Sequence, residues 1–155
     1  MKKIVFSFLI FLMSSLNGSA LYNFKNDKIG QHKFLYPKDF TPQSFITLFT
    51  KQYNKNKTLN NITMAGEFPN NWVKPKDVGY LISIMRSKQK CCNYMNVFSS
   101  HILNEKSEVG GFAIIFLNSY ISGNRINLGL NCSPKTNLKE IQKIENWYNN
   151  VNHKN

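Results

Sequence analysis

The stretch Ser107–Asn124, SEVGGFAIIFLNSYISGN, constrains the chain more than any other. Val109, Phe112, Ala113, Phe116, Leu117 and Tyr120 recur at helical spacing along one face, and Ile114, Ile115 and Ile121 add apolar surface elsewhere on the cylinder. A helix that is apolar most of the way round is packed on several sides. Ser107 is placed as its N-cap, Glu108 suits the positive end of the dipole, and Gly123-Asn124 supplies the stop. The expectation is the central helix of a small helical core.

The first 20 residues read as an address rather than as fold. Lys2 and Lys3 precede an apolar run from Ile4 to Leu16, and Gly18-Ser19-Ala20 places small residues at a cleavage site. The run is well short of the roughly 20 residues that span a bilayer. The expected organisation is a signal peptide over 1–20 and a single α-helical domain with an irregular N-terminal arm over 21–155. The expected address is secreted or periplasmic, with no transmembrane segment in the mature chain.

Residues 21–155 hold 18 Lys/Arg against 8 Asp/Glu, a formal charge of +10. Charge of this size steers encounter with anions. The partners it points to are an acidic protein or an anionic cell-wall polymer; no nucleic acid is expected, because no groove-reading or RNA-binding motif accompanies the charge. The lysines never run longer than two, so an A/T-rich genome is a competing source of the same composition.

Cys91, Cys92 and Cys132 lie in a chain expected to meet an oxidising compartment, which favours a disulfide. A vicinal 91–92 bridge is strained, so the expected bond joins Cys132 to Cys91 or to Cys92. Closing that loop stabilises a fold by roughly 4 kcal/mol on the loop-entropy account.

Thr41-Pro42 opens a helix expected to run to about Tyr53, with Phe45, Ile46, Leu48 and Phe49 apolar. Residues 54–74 read as a long connection, broken at Gly66 and Pro69 and tied down by Met64, Phe68 and Trp72. Long connections are often functional, so Glu67, Phe68, Trp72 and Lys74 are the candidate binding loop. Pro75 starts the next helix through Val78, Leu81, Ile82 and Met85. Cys91, Met95, Phe98 and Ile102 suggest a further helix, whereas the alternation Ile126, Leu128, Leu130, Cys132 is taken as an extended link. Asn137 and Glu140 open the last helix, lined by Leu138, Ile141, Ile144, Tyr148 and Val151. A weak similarity between residues 79–87 and 111–119 hints at stacked hairpins. The expected fold class is all-α: four or five helices in a small bundle or a short stack of helical hairpins.

Catalytic patterns are thin. His101 with Cys91 or Cys92 lacks an orienting acid, and disulfide use competes for the thiols. Glu67, between Gly66 and Phe68, is the best placed carboxylate for wall-glycan hydrolysis, though no lytic signature surrounds it. There is no H-x-x-x-H, C-x-x-C or calcium loop, and Gly110-Gly111 is not a phosphate loop, so neither a metal nor a cofactor is expected. Asn61 and Asn131 stand in glycosylation-type triplets that matter only in a eukaryote. The expected function is an exported helical binding protein, in its most specific form a periplasmic immunity-type inhibitor of a secreted antibacterial enzyme. The alternative is a cell-wall-binding or wall-glycan-hydrolysing protein.

Overall fold

Helix signals in the chain are local, and they land where capping chemistry puts them. In a computed structural model, which describes residues 34–152, a 3-10 turn at Pro37–Asp39 precedes α1 (Pro42–Lys51). Thr41 and Ser44 cap α1 reciprocally: the Ser44 backbone N–H donates to Thr41 Oγ1 at 3.2 Å and the Thr41 N–H to Ser44 Oγ at 2.8 Å. In α2 (Pro75–Ile84) the Asp77 carboxylate accepts the Lys74 N–H at 2.9 Å. The central helix α3 (Val109–Ser122) ends on Gly123, whose φ of 68° is the left-handed conformation a helix stop needs. Asn137 Oδ1 accepts the N–H groups of Lys139 and Glu140 at the start of α4 (Leu138–Asn152).

The all-α expectation is wrong. Among the described residues, five short strands accompany the four α-helices: β1 (Asn61–Met64), β2 (Lys90–Cys91), β3 (Asn93–Asn96), β4 (Ser107–Glu108) and β5 (Asn131–Cys132). They form a three-stranded sheet in the order β1-β3-β5 and a two-stranded sheet, β2-β4. β1 and β3 are parallel, with Asn61 opposite Asn93, and the crossover between them carries α2; β3 and β5 are antiparallel. This is an α+β fold, neither a bundle nor a stack of hairpins.

The helix expected over Cys91–Leu103 is replaced by β2, β3 and a loop. Its helical spacing was coincidental, since Phe98 and Ile102 are exposed while Cys91, Cys92, Asn93 and Tyr94 are all buried. Asn93, Asn96 and Ser99-Ser100 are poor helix formers, and a strand partner thirty residues away in β1 outcompetes them. The supposed repeat dissolves too: a Cβ at Gly79 would meet nothing within 4 Å, whereas Gly111 is pressed against the Pro134 backbone.

No disulfide forms among the described residues, and all three cysteines are free. The register accounts for this at Cys91. Tyr94, not a cysteine, lies opposite Cys132, while Cys91 belongs to the other sheet and pairs with Ser107.

α3 does occupy the centre. Val109 to Ile114, Phe116 and Leu117 are buried along it. Phe45 of α1 meets Phe112 and Phe116 edge-on at 5.4 and 5.3 Å and stacks on Phe49 at 4.0 Å. Trp72 closes the cluster, 5.0 Å from Phe116 and 4.9 Å from Phe68, with its indole N–H donating to the Pro37 carbonyl at 3.0 Å. Ile62, Met64 and Tyr94 turn one face of the larger sheet to this core. The proposed leader over 1–20, the arm up to Lys33, His32 and His153 lie outside the described residues. No described helix is long and apolar enough to cross a membrane.

Candidate functional site: a lysine surface held by buried asparagines

Two fully or nearly buried asparagines organise one end of the larger sheet. Asn60 closes the turn after α1: its Oδ1 accepts the Asn54 N–H at 2.7 Å, and its Nδ2 reaches the carbonyls of Asn54 and Lys57 at 3.1 and 3.0 Å. Asn93 does the same between strands. Its Oδ1 accepts from the Ser107 N–H and hydroxyl, and its Nδ2 donates to Asn61 Oδ1 and to the Glu105 carbonyl. An amide suits this position because it offers donors and acceptors together, and burying any of them unpaired would be costly.

The start of α3 is clamped beside this hub. The N–H groups of Glu108, Val109 and Gly110 donate to the carbonyls of Pro134, Gln89 and Ser87. Backbone from two other loops therefore takes the place of a side-chain N-cap. A Cβ on Gly110 would lie 2.5 Å from the Met85 carbonyl oxygen and one on Gly111 2.5 Å from the Pro134 carbonyl carbon, so both glycines are needed for close approach. Glu108 bridges the clamp, pairing with Lys90 at 2.6 Å and accepting the Thr136 N–H at 2.9 Å. The Lys90 hydrogen bond, helped by Thr136 and opposed by burial, holds its carboxyl down at about 2.

Lysines from distant parts of the chain ride on these anchored segments. Lys57 rides the turn fixed by Asn60, Lys106 adjoins the hub through Glu105 and Ser107, and Lys135 donates from its ammonium to the Lys106 carbonyl. Lys106 Nζ sits 5.9 Å from the ring centre of half-buried Tyr53, a cation–π contact. Beneath them, burial pushes Cys91 up to about 12 and Cys92 up to about 11; Lys135 and Lys90 pull back on the first, Lys57 on the second. Among the described residues, Glu108 is taken by Lys90 and Glu105, beside Lys106, is exposed.

Of the residues singled out from sequence, Phe68 and Trp72 meet edge-on at 4.9 Å, but in the core rather than on a binding surface. Glu67 is exposed and paired with Arg125 at 2.5 Å, and Lys74 lies at the mouth of α2. Glu67 thus lacks the enclosure that raises the pKa of a glycosidase acid. Lys74 does line a cleft of about 200 Å³ with Asn71, Val73, Pro75, Ser119, Tyr120, Gly123 and Asn124. Ligand pockets usually occupy about 300–1,000 Å³, so this one is small for a substrate. Raised thiol values in all three cysteines run opposite to the activation a nucleophile needs, and Cys132 is also pushed up to about 11 by burial. Among the described residues no group of three His, Cys, Asp or Glu is placed to hold a metal.

Sequence reasoning missed Lys57, Lys106, Lys135 and Tyr53. Each stands alone in the chain, and only the buried Asn60 and Asn93, ordinary asparagines by sequence, betray the assembly. Comparison with protein-family models, curated proteins and solved structures finds no match to this chain.

Proposed function

We propose that this is a binding protein that docks an acidic protein partner on the surface formed by Lys57, Lys106 and Lys135 around Tyr53. The observation that carries it is the placing of Lys57, Lys106 and Lys135 on hydrogen-bonded loops, with Lys135 joined to Lys106 and Lys106 set over Tyr53, against Glu105 as an exposed carboxylate beside them. That placing matters because lysines held on pinned loops lose little further freedom on binding. An exported inhibitor of a secreted enzyme is the most specific version, supported by the leader-like first twenty residues and by the size of the chain.

A charge-reversal pair tests the surface. The triple variant Lys57→Glu/Lys106→Glu/Lys135→Glu is compared with Lys38→Glu/Lys76→Glu/Lys139→Glu, which changes net charge equally at other exposed sites. Immobilised poly-L-glutamate serves as the acidic polypeptide, read at low and at physiological salt. Retention should fall sharply for the first triple and little for the second. Equal loss in both would mean that the charge acts only in bulk, and the surface would not be a site.

A further inference from the structure

We infer that Leu35–Phe40 is a strap that lifts from the core as a unit while the helices stay folded, releasing the connection Ala65–Trp72 as it goes. The two segments hold each other. Among the described residues, Ala65–Trp72 donates two hydrogen bonds, and both end on the strap. The Ala65 N–H reaches the Leu35 carbonyl at 2.8 Å, and the Trp72 indole N–H reaches the Pro37 carbonyl at 3.0 Å. Leu35 also forms a parallel bridge with Met64, the last residue of β1. Gly66 turns beside the strap with a φ of 78°, where an added Cβ would lie 3.4 Å from the Tyr36 ring.

Little else keeps the strap down. Pro37 is its one buried side chain; Leu35 and Phe40 are half-buried, and Tyr36, Lys38 and Asp39 are exposed. Several of its contacts are internal and travel with it. Lys38 stands over the Tyr36 ring at 5.4 Å, and the N–H groups of Asp39 and Phe40 close back on the Tyr36 and Pro37 carbonyls. Lifting it breaks no helix, because α1 begins after the strap and carries its own cap at Thr41 and Ser44. Phe45 and Phe49 keep their contacts with Phe112 whichever way the strap lies. A segment with few buried apolar contacts opens at lower cost than the core it covers.

Trp72 is the latch. Its ring is set edge-on to Phe68 and Phe116, out of water, so its N–H needs the Pro37 carbonyl as long as the strap is closed. Trp72 sits between Asn71 and Val73, which line the cleft beside the end of α3, so the strap anchors one wall of that cleft. Asn71 has a φ of 51°, a left-handed conformation that costs a residue with a side chain and is held here next to the latch.

Hydrogen exchange followed by NMR on the isotope-labelled full chain tests the strap with three protons. The Ala65 N–H and the Trp72 indole N–H report the strap, and the Phe116 N–H reports α3. After correction for intrinsic rates, the two strap protons should share one opening constant. It should exceed that of Phe116 about a hundredfold or more and hardly change in low urea, where Phe116 exchange rises steeply. Leu35→Ala, which trims the strap and leaves both accepting carbonyls in place, should raise the opening of both protons by one common factor of about tenfold. Strap protons that open only with Phe116, with the same urea dependence, would show that no separate strap exists. Opening constants more than about tenfold apart, or a Leu35→Ala effect on Ala65 without Trp72, would show that the two ends of the strap are not one unit. Wild type alone decides the first point if the variant does not fold.

Discussion

The side-chain oxygen of Asn93 accepts two hydrogen bonds from one residue, Ser107, taking its backbone N–H at 2.9 Å and its hydroxyl at 2.8 Å. Both residues are 0 % exposed, so this contact joins β3 to the strand that leads into α3 out of reach of water. The lysine-bearing loops are positioned by it.

Asn93→Ala should therefore destabilise the fold by about 3 kcal/mol, since it strands the Ser107 N–H and hydroxyl and the Glu105 carbonyl in the interior. Ser107→Ala, which removes one donor and no acceptor in use, should cost about 1 kcal/mol. Urea denaturation of the two variants checks the order.

Two glycines in helices should respond in opposite directions. Gly110→Ala forces a methyl against the Met85 and Ser87 carbonyls and should cost about 3 kcal/mol. Gly79→Ala, exposed within α2 with open space around it, should stabilise by about 0.5–1 kcal/mol. Thermal melts of the pair give the readout, and a loss for Gly79→Ala would contradict the packing described.

Acid should act through Glu108. Its carboxyl lies at about 2 when folded against an ordinary 4.5, so its contribution is complete above 4.5 and disappears as pH falls towards 2. Glu108→Gln should be less stable than wild type at neutral pH and should show a shallower fall in stability across that window. Identical acid profiles for the two proteins would count against the Lys90–Glu108 clamp.

The thiols should be quiet until the fold opens. With Cys91 at about 12 and Cys92 and Cys132 at about 11, little thiolate exists near neutral pH. Iodoacetamide at mildly alkaline pH should leave the native protein almost unlabelled and add three groups after denaturation without reductant. Only one added group would instead reveal a disulfide between the other two.

What could be read along the chain was what depends on neighbours three or four residues away. Thr41-Pro42, Pro75, the Gly123 stop and the apolar cylinder around Phe112 and Phe116 all announce themselves in this way, and α3 is central as its composition demands. The strands did not, because none exceeds four residues and each is defined by a partner far along the chain: Ile62 with Tyr94, Tyr94 with Cys132. A short window containing Cys91, Met95, Phe98 and Ile102 fits a helix by spacing, and only pairing to β1 turns it into β3. The surface was less legible still. Phe68 and Trp72 looked like loop contacts and became core because they complete the aromatic cluster that Phe45 and Phe49 begin against Phe112 and Phe116 of α3. Lys57 and Lys106 looked like background composition; their loops are fixed by the hydrogen bonds that the buried amides of Asn60 and Asn93 make, and Lys135 joins Lys106 through its own ammonium. Helices were determined by the sequence itself, since their hydrogen bonds close within one turn; sheet, free thiols and lysine surface were decided by tertiary structure, since their bonds close across the fold.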